Sequence, residues 1–249
     1  MNAHTPLLSI VVPAYNEAAP DRLPNSLKQI TAFVATQPYA IEVIIVNNNS
    51  TDDTLQIAEA TAAEFDYIRV ITETTQGKGA AVKAGMKIAR GDYLFICDAD
   101  LSMPIEEVVK FLPPNAESYD IAIASREAPG AKRIGEPEMR HVMGRVFNFI
   151  VKVLAVRGLN DTQCGFKCFR REVAEKVFPL QTINGWAFDV ELLFIAQKHG
   201  YKIIEVPITW YYKAQSKIKP MGDSYKMVME TLKVRRNWKK GVYGEKTQA

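Results

Sequence analysis

Short apolar runs alternate with longer helical patterns through the first half of the chain. The runs are bounded by polar residues and are typical of strands, at residues 7–12, 42–46, 68–71, 93–97 and 121–124. Between the runs, one apolar stripe has helical spacing: Leu23, Leu27, Ile30 and Val34. Segments 54–65 and 78–89 are rich in Ala and other helix formers. This order predicts an α/β fold with a mainly parallel sheet flanked by helices.

In the second half of the chain, the boundaries between predicted elements are less clearly marked. Residues between Arg126 and Pro137 are rich in Pro and Gly and predict a loop, after which residues 139–156 have a helical pattern. A turn leading into a strand is expected over 159–169, and the last helix and strand before the tail over 190–198 and 203–206. We expect one domain over residues 1–212 and a helical tail over 213–249, which packs on that domain or lies at a membrane surface.

Polar residues follow each predicted strand. They occur at 13–17, 47–53, 76–79, 98–102 and 125–126. In open sheets of parallel strands, ligands bind beyond the carboxyl ends of the strands. The sequence therefore predicts that these five segments face a single site.

The most informative of these segments is Asp98-Ala99-Asp100, directly after the apolar run YLFIC. Two carboxylates so close to a buried strand end call for a nearby cation. Mg²⁺ or Mn²⁺ takes oxygen ligands and commonly bridges carboxylates to substrate phosphates, so Asp98 and Asp100 are predicted metal ligands. Lys78, between two glycines, is a predicted partner for a diphosphate. The alternative for the two acids is a solvated loop.

Several motifs resemble a known family. The segments SIVVPAYNE (9–17), VNNNSTDDT (46–54), GKG (77–79) and DADL (98–101) resemble the family 2 glycosyltransferases of the GT-A fold. The segments DTQCGFK (161–167) and WAFDVELL (186–193) resemble the dolichyl-phosphate β-glucosyltransferase branch, with dolichyl-phosphate mannosyltransferases as near relatives. The resemblance covers roughly residues 7–217 in order.

The resemblance implies a nucleotide-sugar site at the strand ends. In it, Pro13, Tyr15 and Glu17 would lie around the nucleoside, and Asp98 and Asp100 would hold the metal and the diphosphate. Other positions are matched in the same way: Ser216 and Lys217 with a pair that reaches the diphosphate, and Arg126 and Arg140 with residues that hold the acceptor's phosphate in the mannosyltransferases.

Two positions depart from the family pattern. Asn47 and Asn48 stand where the family usually has two Asp residues, the second of which commonly contacts the base. Because an amide both donates and accepts, whereas an ionised Asp only accepts, Asn48 leaves the identity of the base open. Ser102 replaces a Gln that the mannosyltransferase relatives use, which disfavours that branch.

The implied reaction moves glucose from UDP-glucose to a polyprenyl or dolichyl phosphate with inversion. Negative charge that develops on the leaving diphosphate would be stabilised by a metal at Asp100 together with Lys78 and Lys217. A lipid monophosphate is largely ionised at pH 7 and needs no general base. A saccharide hydroxyl acceptor would need one, and Asp189 and Glu191 are the candidates. The alternative for Asp189 is that its negative charge only stabilises a helix N-terminus.

Two other functions stay open at the level of the sequence. One keeps the fold and uses GDP-mannose as the donor. The other is a nucleotide-sugar-binding module without catalysis, which the missing Asp pair at 47–48 favours and the joint presence of Asp98, Asp100, Asp189 and Glu191 disfavours.

Charge is unevenly distributed along the 249 residues. The net charge of +3 includes a tail, residues 213–249, with ten Lys or Arg against three Asp or Glu. In this tail the apolar residues Tyr225, Val228, Met229 and Leu232 recur at helical spacing. The pattern predicts a basic amphipathic helix that either packs on the domain or contacts an anionic membrane. Segment 139–157 is a second candidate for membrane contact. Nucleic acid is not expected as a partner.

Composition restricts the cellular setting. The chain is 47% apolar and 24% charged, as in ordinary globular proteins. Its longest apolar stretch, 146–156, is shorter than the roughly 20 residues of a membrane span, and the N-terminus lacks a signal-peptide pattern. We therefore expect a cytoplasmic protein, peripheral on a membrane, with a separate membrane protein as a conceivable partner. Cys97, Cys164 and Cys168 are expected to be buried thiols.

Overall fold

The computed structural model describes residues 5–116, 118–138, 141, 144, 145, 148, 151, 152, 154–213 and 220–244, and only the backbone of residues 220, 221, 223 and 224. In this part of the chain, seven strands form a central sheet in the order β3-β2-β1-β4-β7-β5-β8. Their bounds are Leu8–Ala14 (β1), Ile41–Asn47 (β2), Ile68–Thr72 (β3), Tyr93–Ile96 (β4), Ile121–Ser125 (β5), Lys167–Arg170 (β7) and Ile203–Pro207 (β8). Strands β6 (Lys132–Ile134) and β9 (Thr209–Tyr211) pair as a separate two-stranded ribbon.

Helices connect the strands and cover the sheet. They are α1 (Leu23–Thr36), α2 (Thr54–Glu64), α3 (Lys78–Ile88), α4 (Arg171–Val177), α5 (Phe188–Lys198) and α6 (Pro220–Lys239), with 3-10 helices at Ile105–Phe111 and Phe178–Leu180. The predicted α/β fold with a mainly parallel sheet is confirmed. Helix α4, the 3-10 helices and the β6–β9 ribbon are too short for their periodicity to stand out in the sequence.

One strand runs against the others. β7 lies between β4 and β5 and is antiparallel to both, whereas the remaining neighbours in the sheet are parallel. The sequence predicted a strand near this position but not its direction. The carboxyl ends of β1, β2, β4 and β5 therefore lie at one edge of the sheet, as the prediction of a single site requires.

Alternate residues of the strands pack into two cores. On one face of the sheet, Ile10 and Val12 belong to a cluster in which the rings of Phe111 and Phe166 pack edge-on against the ring of Phe95. On the other face, Val11 belongs to a cluster with Ile44, Leu94, Phe169 and Phe188. The period of two along each strand sends neighbouring side chains to opposite faces. The three cysteines are free and buried, as predicted.

Helix α6 packs on the domain through a face that the sequence analysis did not select. Its buried side chains are Met227, Thr231 and Val234. Of the apolar residues that the sequence placed at helical spacing, Tyr225, Met229 and Leu232 are exposed and Val228 is half-buried, so this stripe is not the face that packs on the domain. The exposed stripe and the buried face of α6 both recur at helical spacing, so periodicity alone does not show which of the two packs on the domain. The division of the chain at residue 212 stays a prediction.

Some predictions fall outside the described residues. These are the predictions for Arg140, Ser216 and Lys217, and most of the predicted helix over 139–156. In the described parts of the chain, no helix combines the length and the apolar character that a membrane crossing requires.

Candidate active site

The loops that follow β1 and β2 are joined by hydrogen bonds from side chains of both loops. Asn16 Oδ1 accepts from Thr51 N at 2.8 Å, and Asp52 Oδ2 accepts from Ala18 N at 3.1 Å. Thr54 Oγ1 accepts from the backbone N of Glu17 at 2.7 Å. The segment NNNSTDDT thus holds the turn after β1 in place. Asn16 has φ of 51°, in the left-handed region that Asn tolerates better than most residues.

Pro13 is the next-to-last residue of β1, and Tyr15 and Glu17 lie in that turn. The Tyr15 side chain is exposed beyond the strand end, and Pro13 is half-buried. Glu17 is buried and forms an ion pair with Arg22, whose Nη2 donates to Glu17 Oε1 at 3.0 Å. The hydrogen bond to Glu17 is the largest influence that raises the pKa of Arg22, and Asp100 adds to it at longer range. Glu17 therefore holds a cation on the side of the site where Asp100 lies.

Asn48 closes the loop that leads into α3. Its Nδ2 donates to the carbonyl oxygens of Glu73 (3.0 Å) and Thr75 (2.7 Å), and its Oδ1 accepts from Gly77 N at 2.8 Å. The side chain is buried. These contacts give Asn48 a role in shaping residues 73–77. Its predicted contact with the base stays a prediction.

Glycines flanking Lys78 allow α3 to meet the segment before α5. A Cβ added at Gly77, where φ is +135°, would lie 2.1 Å from Asn184 O, and one at Gly79 would lie 2.6 Å from Phe188 Cβ. The N–H groups of Gly79 and Ala80 donate to Asn184 O at 2.8 and 3.3 Å. The close backbone approach expected at GKG is therefore made by the protein itself, and the Lys78 side chain is what this motif directs into the site.

Lys78 lies against the carboxylates at the end of β4. Its Nζ is 2.5 Å from Asp98 Oδ1 and 5.7 Å from the centre of the Trp186 ring. Burial alone would lower the pKa of Lys78, but the charges of Asp98, Asp189 and Asp100 outweigh burial and raise it. Lys78 is therefore a cation at neutral pH.

The Asp98-Ala99-Asp100 segment is tightly held. Asp100 Oδ1 accepts from both the backbone N and the Oγ of Ser102 at 3.0 Å. A Cβ added at Gly165 would lie 1.9 Å from Asp98 Oδ2, so the chain before β7 passes directly against this carboxylate. Burial and the charge of Asp98 raise the pKa of Asp100, although Ser102 and Arg22 oppose the shift. The site thus concentrates negative charge in a poorly solvated place.

These two carboxylates fit a divalent cation. In the described part of the chain, no group of three or more His, Cys, Asp or Glu side chains could hold a metal ion by itself. Mg²⁺ commonly uses only one or two carboxylates and completes its shell with substrate phosphates and water. Burial and the neighbouring charge of Asp98 raise the pKa of Asp100, and a cation bound between the two carboxylates would favour their ionised forms. Asp98 and Asp100 would therefore be the protein's ligands to a metal that arrives with a diphosphate.

Comparison with known proteins agrees with this arrangement. The family model described as glycosyl transferase family 2 matches residues 9–178, from β1 through α4. This chain belongs to glycosyltransferase family 2. The matched range contains Lys78, Asp98 and Asp100, so the cluster just described lies inside the family domain.

Curated relatives of this glycosyltransferase cover most of its length. A dolichyl-phosphate beta-glucosyltransferase of Trichomonas vaginalis is 34% identical over 97% of this chain and 74% of its own. The human dolichyl-phosphate beta-glucosyltransferase is 33% identical over 96% of this chain and 78% of its own. The branch that the sequence motifs indicated is therefore the branch of these relatives.

A solved structure shares the fold. Glucosyl-3-phosphoglycerate synthase from Mycobacterium tuberculosis, in complex with Mn²⁺, UDP and glucosyl-3-phosphoglycerate, superimposes with a TM-score of 0.69 over 92% of this chain and 80% of its own. The sequence identity is 19%, so the likeness is one of fold.

Asp189 of the glycosyltransferase is a buried carboxylate between two lysines. Its Oδ1 lies 2.9 Å from Lys167 Nζ, which also donates to Cys164 O at 2.6 Å. Burial raises the pKa of Asp189, and the charges of Lys167 and Lys78 oppose the shift. Lys167 is fully buried, so the two charges neutralise each other inside the protein.

Glu191 is held by hydrogen bonds on both of its carboxylate oxygens, and its predicted role as a general base stays a prediction. Its carboxylate accepts four hydrogen bonds: from Thr182 N (3.0 Å), Thr182 Oγ1 (2.6 Å), Ile183 N (2.8 Å) and Tyr243 OH (2.6 Å). The residue is fully buried. These contacts engage both carboxylate oxygens in fixing the segment before α5 and the end of the tail. The geometry therefore favours Asp189 over Glu191 as the candidate for a general base.

Arg126 is held by a partner that sequence reasoning missed. Its backbone N and Nε donate to Asp161 Oδ2 at 3.0 and 2.7 Å, and Nη2 donates to Oδ1 at 2.9 Å. Its guanidinium carbon lies 5.3 Å from the centre of the Trp210 ring. Asp161 is buried, and although burial would raise the pKa of this carboxyl, Arg126 lowers it. Arg126 is thus a rigid cation near the end of β5.

The sequence motifs did not single out four residues of the site: Arg22, Asp161, Lys167 and Asn184. Asp161 and Lys167 belong to the segment DTQCGFK, and a Lys between apolar residues, as Lys167 is between Phe166 and Cys168, is a signal of a buried ion pair. Arg22 and Asn184 carry no such signal, because one acts through a salt bridge and the other through its backbone oxygen.

Proposed function

We propose that this glycosyltransferase moves glucose from UDP-glucose to the phosphate of a dolichyl or polyprenyl phosphate, with inversion at the anomeric carbon. The observation that carries the proposal is the juxtaposition of Lys78 with Asp98 and Asp100 at the carboxyl ends of the strands. The names of the curated relatives support the choice of glucose and of a dolichyl phosphate.

At the donor side, some residues would bind the nucleotide-sugar and others would stabilise the negative charge of the leaving diphosphate. Asp98 and Asp100 would hold Mg²⁺ or Mn²⁺, which supplies Lewis-acid stabilisation of the diphosphate. Lys78 is oriented by Asp98 and stays protonated, so it can donate to a diphosphate oxygen as negative charge develops there. Pro13, Tyr15 and Glu17 line the turn where the nucleoside would lie, and we retain Ser216 and Lys217 as further diphosphate contacts.

At the acceptor side, the proposal needs positioning and no base. A phosphate monoester has a second pKa near 6 and is largely ionised at neutral pH. Arg126, fixed by Asp161 and stacked on Trp210, would orient this anion for in-line attack. Arg140 is retained as a second phosphate contact. A lipid acceptor implies a peripheral enzyme, which we place on the cytoplasmic face of a membrane.

A transfer assay tests the reaction. The full chain is incubated with Mg²⁺ or Mn²⁺, a panel of UDP- and GDP-sugars and a short polyprenyl phosphate, and products are identified by mass spectrometry. We expect polyprenyl glucosyl phosphate to form from UDP-glucose alone and no product to form with EDTA. We also expect Asp100→Ala to lower kcat by more than about a hundredfold. Product from GDP-mannose, or undiminished activity in EDTA, would contradict the proposal.

Asp189 allows a second test that concerns the acceptor. Its burial beside Lys78 suits a general base, which a saccharide hydroxyl would need and a lipid phosphate would not. With a polyprenyl phosphate, we expect Asp189→Asn to leave the shape of the pH–rate profile unchanged. Glu191→Gln is the matched control, since it removes a buried charge of the same sign from a residue whose contacts are structural. Loss of the acidic limb only in Asp189→Asn would favour a hydroxyl acceptor.

A further inference from the structure

Helix α6 has two apolar faces, and only one of them meets the domain. Met227, Thr231 and Val234 are buried, whereas Tyr225, Met229 and Leu232 are 71%, 48% and 41% exposed. At 3.6 residues per turn these two sets lie on opposite sides of the helix. The outer set is called the outer stripe below.

The packed side of α6 is anchored, so the outer stripe has a fixed orientation. Glu230 Oε2 accepts from Ala187 N at 3.3 Å, and Asn237 Nδ2 donates to Thr182 Oγ1 at 3.1 Å. Beyond the helix, Tyr243 is fully buried, and its hydroxyl donates to Glu191. Rotation of α6 to bury the outer stripe would break these contacts.

Cations surround the outer stripe. Every Lys and Arg between residues 225 and 240 is exposed: Lys226, Lys233, Arg235, Arg236, Lys239 and Lys240. Glu230, the acid in the same stretch of sequence, points to the domain. On a helix of 3.6 residues per turn, Lys233 and Arg235 lie on opposite sides of the stripe, and Arg236 continues it one turn beyond Leu232. The exposed surface of α6 therefore combines an apolar strip with positive charge along its flanks.

We infer that the outer stripe, Tyr225, Met229 and Leu232, inserts into the surface of an anionic membrane, with the flanking lysines and arginines on lipid headgroups. Long basic side chains extend toward headgroups while apolar side chains enter the acyl boundary. An anionic partner protein would match the charge but would leave the apolar strip in the middle of a cationic surface unexplained. The biological sense of this surface rests on the proposed lipid acceptor.

Vesicle co-sedimentation of the full chain tests the inference. We expect the protein to bind vesicles of phosphatidylcholine mixed with phosphatidylserine and to bind phosphatidylcholine alone much more weakly. Substitution Tyr225→Ser with Met229→Ser and Leu232→Ser should weaken binding to the anionic vesicles about tenfold or more, because the apolar area that enters the membrane is lost. Since all three side chains are exposed, the thermal unfolding midpoint should change little.

A matched control separates this stripe from exposed apolar residues in general. Met229→Ser alone is compared with Ile134→Ser, since Ile134 on β6 is 43% exposed, close to the value for Met229. Only Met229→Ser should weaken vesicle binding. Equal vesicle binding by the wild type and the triple variant would overturn the inference. So would a change in the oligomeric state of the triple variant without a change in its affinity for vesicles.

Failure of the surface and failure of the proposed function are distinguishable. Transfer of glucose to a short, water-soluble polyprenyl phosphate is measured without vesicles, and the triple variant should match the wild type. If the wild type makes no product with any donor, the proposed function fails, and the vesicle comparison still decides whether the outer stripe binds lipid.

Discussion

Asn48 illustrates how one amide can organise a site from a distance. It donates to two carbonyl oxygens and accepts from one N–H, all in the loop before Lys78. An ionised Asp at this position would accept only, and would face the oxygens of Glu73 and Thr75 without a hydrogen between them. In this chain, the amide of Asn48 therefore makes hydrogen bonds that the Asp common at this position in the family could not make.

We therefore expect Asn48→Asp to destabilise the protein. Two buried carbonyl groups lose their donor, which should lower the free energy of unfolding by about 2 kcal/mol in urea denaturation at pH 7. Because the same loop leads into Lys78, kcat/KM should also fall. Asn47→Asp is the control, since Asn47 Oδ1 accepts from Ser50 N and a carboxylate keeps that bond. An Asn48→Asp variant as stable as the wild type would refute the assigned role.

The ion pair of Asp161 with Arg126 predicts a pH-dependent stability. The folded-state pKa of Asp161 is lowered below its usual 3.8, so the stability that the charged form contributes is present above that pH and is lost as the pH falls through the folded pKa. Asp161→Asn should cost about 3 kcal/mol at pH 7 because it leaves Arg126 without a counter-charge.

The pH series for Asp161→Asn gives the check. The difference in unfolding free energy from the wild type should be constant between pH 7 and pH 5, and should shrink only below the usual Asp value of 3.8. A difference that already disappears near pH 6 would point to a histidine and not to Asp161.

At the scale of elements, the junction of α3 with the segment before α5 constrains the glycines around Lys78. Gly79 lies within α3, where Ala is the better helix former by about 1 kcal/mol. A Cβ at this position, however, would approach Ile183 O to 2.7 Å and Phe188 Cβ to 2.6 Å. Steric conflict with a backbone oxygen should therefore outweigh helix propensity.

Gly79→Ala and Gly222→Ala should accordingly change stability in opposite directions. Gly222 lies in α6, and a Cβ there would have no heavy atom within 4 Å. We expect Gly222→Ala to raise the free energy of unfolding by up to about 1 kcal/mol and Gly79→Ala to lower it by 1 kcal/mol or more, on the order of an overpacked core. Thermal unfolding of the two variants side by side measures both signs, and a stabilised Gly79→Ala would show that the junction is looser than described.

Prediction from sequence succeeded where a single physical signal dominates. The runs that became β1 to β5 are mostly apolar, and the polar segments after them meet at one sheet edge because parallel strands end together. It leaves the outcome open where two alternatives have the same signal. The two apolar faces of α6 share one period, and Glu191 and Asp189 stand two residues apart with the same chemistry, yet only tertiary contacts assign their roles.

At the scale of the whole molecule, the uneven charge along the chain predicts salt-sensitive lipid association. Residues 213–249 carry an excess of seven positive charges, whereas residues 1–212 carry a net negative charge. Attraction between exposed charges is screened beyond about 8 Å at physiological ionic strength. Binding to anionic vesicles should therefore weaken steadily as NaCl is raised, which co-sedimentation at several salt concentrations measures. Retention that is independent of salt would contradict the peripheral mode.

The antiparallel strand β7 also affects how the protein is made. Both strand partners of β5, namely β7 and β8, follow it in the sequence, and β4 receives its second neighbour only with β7. As the chain leaves the ribosome, the facing edges of β4 and β5 therefore stay open until residues 167–170 have been synthesised and inserted between them, and the other edge of β5 stays open until β8 follows. Nascent chains that stop short of Lys167 retain those edges and are the forms of this protein most prone to aggregate.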